Sequence, residues 1–170
     1  MEDPSNQVEV WRVLFSYATG RERWEEALRI GENLIRHPDV RWYETAAYTK
    51  LLYRFRPEAI PEFVLAISDP DPLLLEELTR ILNATGHGET LLQWIQRLKA
   101  DGMAPTVSFQ ICEADTLAAL GQWSELLAFT QRSDWEFFDY YRKALRSRAQ
   151  ARLGNDVESR SLWNEATKAA

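Results

Sequence analysis

The sequence predicts an all-α fold, a right-handed α-solenoid of about five helix-turn-helix hairpins, and three observations predict it. Turn-forming residues recur at 20–23, 54–57, 86–88, 121–122 and 154–156, roughly a third of a hundred residues apart. A second set of breaks, at 37–38, 69–72, 102–105 and 132–134, falls about midway between them and cuts the chain into ten segments. Within the segments the apolar residues follow i, i+3, i+4, i+7, as in Trp11, Leu14, Phe15 and Ala18, or Leu91, Trp94, Ile95 and Leu98. That spacing lines one side of a helix and is incompatible with the period of two that a strand requires.

The segments pair into units at 8–39, 40–71, 72–106, 107–139 and 140–170, behind an N-terminal extension at 1–7, forming a single repeat domain over 8–170. Their starting residues, Val8, Val40, Pro72, Val107 and Tyr140, are spaced by 32, 32, 35 and 33 residues. In the first unit Trp11, Leu14 and Phe15 face Ala27 and Leu34. In the second, Tyr43, Ala46 and Ala47 stand on the first helix, Ala59, Phe63 and Ala66 on the second, and Pro70 stops it. The third opens on Asp71-Pro72, a capping acid before a proline suited to a first helical turn.

The fourth unit places Glu113 where an apolar residue is expected, turns at Gly121-Gln122-Trp123, and carries Thr130 and Ser133 on its second helix. The fifth has Arg146 at an apolar position, a Gly154 cap, then Ser159, Trp163 and Ala166. Small residues such as Ala27, Ala59 and Ala166 allow two helices to approach, and aromatic rings fill the space between hairpins. The aromatic stripe therefore reads as core.

These residues and intervals resemble the tetratricopeptide repeat family over nearly the whole chain, from Val8 to Ala169, with the second unit the best match. The resemblance implies a protein-binding module whose first helices line a concave groove. The expected groove residues are Arg12, Arg41, Glu44, Tyr48, Glu76, Arg80, Asp115, Tyr141, Arg148 and Arg152, with Tyr48 and Tyr141 as aromatic anchors. Family members that grip a C-terminal carboxylate use Lys and Asn in slots occupied here by Arg12, Ser16, Glu44 and Tyr48, which disfavours that ligand. The run Arg142, Lys143, Arg146, Arg148, Arg152 reads as a solvated face, with an acidic peptide as the alternative.

Composition narrows the function. The 170 residues are 45% hydrophobic, enough to bury a core, and carry a formal charge of −6 from 26 acidic and 20 basic side chains. A negative field opposes salt-driven binding of nucleic acid, so no nucleic-acid partner is favoured. An RNA-binding helical repeat is the alternative, suggested by the unit length, the turn at 102–106 and the basic helix. Cys112 is alone, which rules out an intrachain disulfide or thiolate cluster and leans toward the cytoplasm.

No apolar run is long enough to span a bilayer, and the polar start at 1–7 is unlike a signal peptide. His37 and His87 fall in turns, Cys112 sits beside Ile111 on an apolar side, and the adjacent pairs Glu25-Glu26 and Glu76-Glu77 point about 100° apart on a helix. Neither a convergent acid and base, nor metal-ligand spacing, nor a phosphate-cradling loop is present, so no enzyme, cofactor or metal is expected. Trp163 close to the last residues suggests either self-association through an uncapped C-terminal helix or a module of a longer protein.

Overall fold

The computed structural model describes residues 4–132 and 135–169, and among them every regular element is helical. They divide into two compact units, 1–81 and 82–170. The first holds α1 (Pro4–Gly20), α2 (Trp24–Ile35), α3 (Trp42–Phe55), a 3-10 turn at Pro57–Ala59, α4 (Ile60–Ala66) and the larger part of α5 (Pro72–Ala84). The second holds the end of α5, then α6 (Gly88–Ala100), α7 (Val107–Ala119), α8 (Trp123–Arg132), a 3-10 turn at Glu136–Phe138, α9 (Asp139–Arg152) and α10 (Asp156–Ala169). α1 begins at Pro4, inside the expected extension. Ser133 and Asp134 lie outside the described residues.

In the first unit α2 packs on both α1 and α3. Its buried residues Ala27, Leu28, Ile30, Gly31 and Leu34 form one stripe at helical spacing. Gly31 is the tightest point. A Cβ there would lie 2.5 Å from the Tyr48 ring and 2.8 Å from the Phe15 ring, so only glycine admits both aromatics. Ala59, expected at such a crossing, instead lies in the 3-10 turn that precedes α4.

In the second unit Leu92, Ala114, Leu117, Leu126, Trp135 and Ala149 form a continuous core. Trp135 is fully buried, and its indole N–H donates to Gln110 Oε1 at 3.1 Å, which satisfies the one polar atom of the ring. Thr130 is equally buried and donates its hydroxyl to the Leu126 carbonyl at 2.7 Å. Glu113, in its apolar position on α7, is held by an ion pair with Lys99 of α6. Polar residues thus occupy core slots because each finds a local partner.

Four turns share one closure. Gly121, at φ +70°, lets the Gln122 amide donate back to the Leu117 carbonyl at 3.0 Å, and Gly86, Gly102 and Gly154 do the same for their helices. The first turn differs: Gly20 stays helical and Glu22 takes the left-handed conformation, φ +57°, while the Arg23 amide donates to Ala18. At α5 the Asp71 carboxylate accepts from the Leu73 amide at 2.8 Å, the cap expected ahead of Pro72.

Candidate functional site

Two expected groove residues, Arg12 of α1 and Glu44 of α3, meet in the first unit. Arg12 Nε donates to Glu44 Oε1 at 2.7 Å, while its other nitrogens reach Glu9 Oε1 at 2.6 Å and the Asp39 carbonyl at 2.7 Å. Glu44 also accepts from the Arg41 amide at 2.8 Å, closing the start of α3. The carboxylate contacts hold Arg12 protonated well beyond its ordinary range. Each nitrogen of the Arg12 guanidinium is engaged, so the pair ties α1 to α3.

Tyr48 is no exposed anchor. It is 6% exposed and meets the Phe63 ring edge-on at 5.3 Å, and burial raises its hydroxyl pKa. Tyr43, expected to pack, instead stands 44% exposed and accepts from Arg41 at 2.6 Å. The cause is helical phase: Glu44, Thr45 and Tyr48 turn one side of α3 inward and Tyr43 lies off it. Arg80 forks onto Glu77 at 2.7 and 2.8 Å, and Lys50 adds a third contact at 2.8 Å, which together hold the Glu77 carboxyl at about 2. Glu76 is exposed on α5 and joins neither group.

The second unit brings together the remaining four. Tyr141 of α9 donates its hydroxyl to Asp115 of α7 at 2.7 Å, and burial raises the pKa of both. Arg148 and Arg152 lie over the Trp123 ring, 5.3 and 5.7 Å from its centroid. Two more of the basic run are committed internally, Arg142 to Asp139 and the Thr130 carbonyl and Lys143 to Asp139 and Glu165, while the Arg146 Nε is buried without a hydrogen-bond partner among the described residues. An acidic peptide would have to displace these contacts.

Beside Tyr141 and Arg148 lies an open surface cavity of about 640 Å³ between α9 and α10. Tyr140, Ala144, Ala151 and Trp163 complete its apolar wall. Trp163 is 54% exposed because Leu162 and Ala166 take the buried side of α10 and residue 163 is rotated about 100° from it. The expectation that Trp163 packs as core is therefore corrected. Phe137 and Phe138, which lead into α9, are exposed as well. Tyr140 and Trp163 thus place two exposed aromatic rings on one cavity.

A second cavity, of about 720 Å³, lies within the first unit among α2, α3, α4 and the start of α5. Sequence reading missed it, although the prolines at 57, 61, 70 and 72 that leave α4 so short are the signal. Among the described residues no group of three or more His, Cys, Asp or Glu is placed to hold a metal ion, and no helix is long and apolar enough to cross a membrane. The lone Cys112 is buried.

These observations define, among the described residues, an all-helical protein with an open surface cavity in each unit. No family model matches the chain, and no curated protein matches it. Among solved structures it is similar to the crystal structure of MamA protein, with a TM-score of 0.60 and 8% sequence identity over 97% of this chain and 92% of that one. The likeness is one of fold.

Proposed function

We propose that the chain is a non-catalytic protein-interaction module of tetratricopeptide type, its hairpins arranged as a right-handed solenoid, that binds a peptide or helix of a partner protein. The observation that carries the reading is the cavity between α9 and α10, where Tyr141 and Arg148, two of the expected groove residues, stand beside an exposed Trp163. Trp, Tyr and Arg are the side chains that dominate protein-binding energetics, because they offer large contact area together with a polar or charged handle. The fold likeness to MamA is compatible with a helical scaffold.

The test is a peptide array probed with the wild-type chain, followed by affinity measurement for the selected peptides. Trp163→Ala should weaken binding by about tenfold or more while leaving the fold intact, since the ring is exposed. Array peptides that bind Trp163→Ala and Arg148→Ala as tightly as wild type would remove this surface from the interaction. Concentration-dependent dimerisation abolished by Trp163→Ala would instead assign the surface to a second copy of the chain.

A further inference from the structure

We propose that the cavity of the first unit is a second docking site, specific for a partner helix that carries an apolar stripe flanked by Lys or Arg. The proposal rests on its own observations and is independent of the α9 and α10 surface.

The cavity originates in a mismatch of helix lengths. α3 has 14 residues, whereas α4 has 7 and the 3-10 turn that leads into it has 3, so at about 1.5 and 2.0 Å per residue the run at 57–66 is some 5 Å shorter than its neighbour. Proline at the start of α4 and extended backbone at Ile67, φ −76° and ψ 115°, fix both its ends. Trp42, half-buried at the beginning of α3, and Thr45, buried one turn further on, face the cavity. With Tyr48, Leu52, Phe63 and Leu74 they give it an apolar floor. A helix from outside would meet that floor with side chains at i, i+3, i+4 and i+7.

The rim sets the charge of that helix. Its ionisable residues are Glu32, Glu62, Asp69 and Asp71 against Arg36 alone, and Arg36 is already paired with Glu32 at 2.6 Å. Asp71 is partly spent as the cap of α5, whereas Glu62 and Asp69 are exposed and have no cation at ion-pair distance among the described residues. Basic residues flanking the apolar stripe would meet uncompensated carboxylates, which favours encounter and fixes orientation, while an acidic helix would be repelled.

The probe is a designed, fluorescently labelled helical peptide with leucines at those four spacings and lysines on both flanks, compared with a twin in which every lysine is glutamate. Anisotropy titrations on the full chain should show the lysine peptide binding at least about tenfold tighter than its twin, with affinity falling as salt rises. The double variant Glu62→Lys/Asp69→Lys, whose circular dichroism should match wild type because both positions are exposed, should abolish or invert that preference. Trp163→Ala should leave it unchanged, which separates this site from the α9 and α10 surface. Absence of binding by the lysine peptide, equal binding of the two twins, or a preference untouched by the double variant would overturn the proposal.

Discussion

Removing the Glu44 carboxylate would leave Arg12 held only by Glu9 and the Asp39 carbonyl, cut its tie to α3 and deprive the Arg41 amide of its acceptor. Loss of one partner of a buried pair costs more than the pair itself contributes, so Glu44→Ala should destabilise the protein by about 3 kcal/mol in chemical denaturation. Were Glu44 a ligand contact on an open groove, the same change would leave stability almost unaltered. Glu77 makes a second residue-scale prediction. Its carboxyl is held at about 2, first by Arg80 and then by Lys50, against an ordinary 4.5. A depressed folded-state pKa means its stabilising contribution is complete above 4.5 and disappears as pH falls toward 2. Thermal unfolding of Glu77→Gln and wild type should therefore differ most above that window and converge at its acid end.

At the scale of elements, the turns and apolar stripes were legible in the sequence because both follow from local chemistry. Gly121 and Gly154 close their helices as expected, and Asp71 caps α5 as expected. Where the reading missed, the deciding contact was distant in sequence. Gly31 looks like an ordinary helical residue until the Phe15 and Tyr48 rings close over it, and Tyr48 reads as a groove anchor until Phe63 meets its edge. Phase also matters: a rotation of about 100° per residue separates exposed Trp163 from buried Leu162. Local rules fail openly in two turns, at Glu22 and at Glu136, both with positive φ. Glu22 occupies a left-handed conformation that costs a side-chain-bearing residue roughly 1 kcal/mol, so Glu22→Gly should raise the melting temperature by about 2 to 4 °C. An unchanged or lower value would mean that the Glu22 side chain contributes more than its backbone strain costs.

For the whole molecule, the net charge of −6 is distributed so that each unit offers a different surface. The first has an apolar cavity with an acidic rim, while the second has an aromatic wall beside arginine. Both place apolar side chains beside charged ones, the mix of contact area and polar handles that the proposed interaction would use. Which residues form these surfaces was partly legible. Tyr141 and Arg148 follow from helical register, but Trp163 and the short α4 acquire their roles only when neighbouring helices fix which side is covered.

The most direct check on the interaction reading is an amide and indole NMR titration of the full chain with a peptide selected by the wild-type protein. Shifts should cluster on Tyr140, Ala144, Arg148 and the Trp163 indole, on α9 and α10. Saturable binding with those signals unmoved, and the changes centred on the Arg12 and Glu44 pair instead, would contradict it.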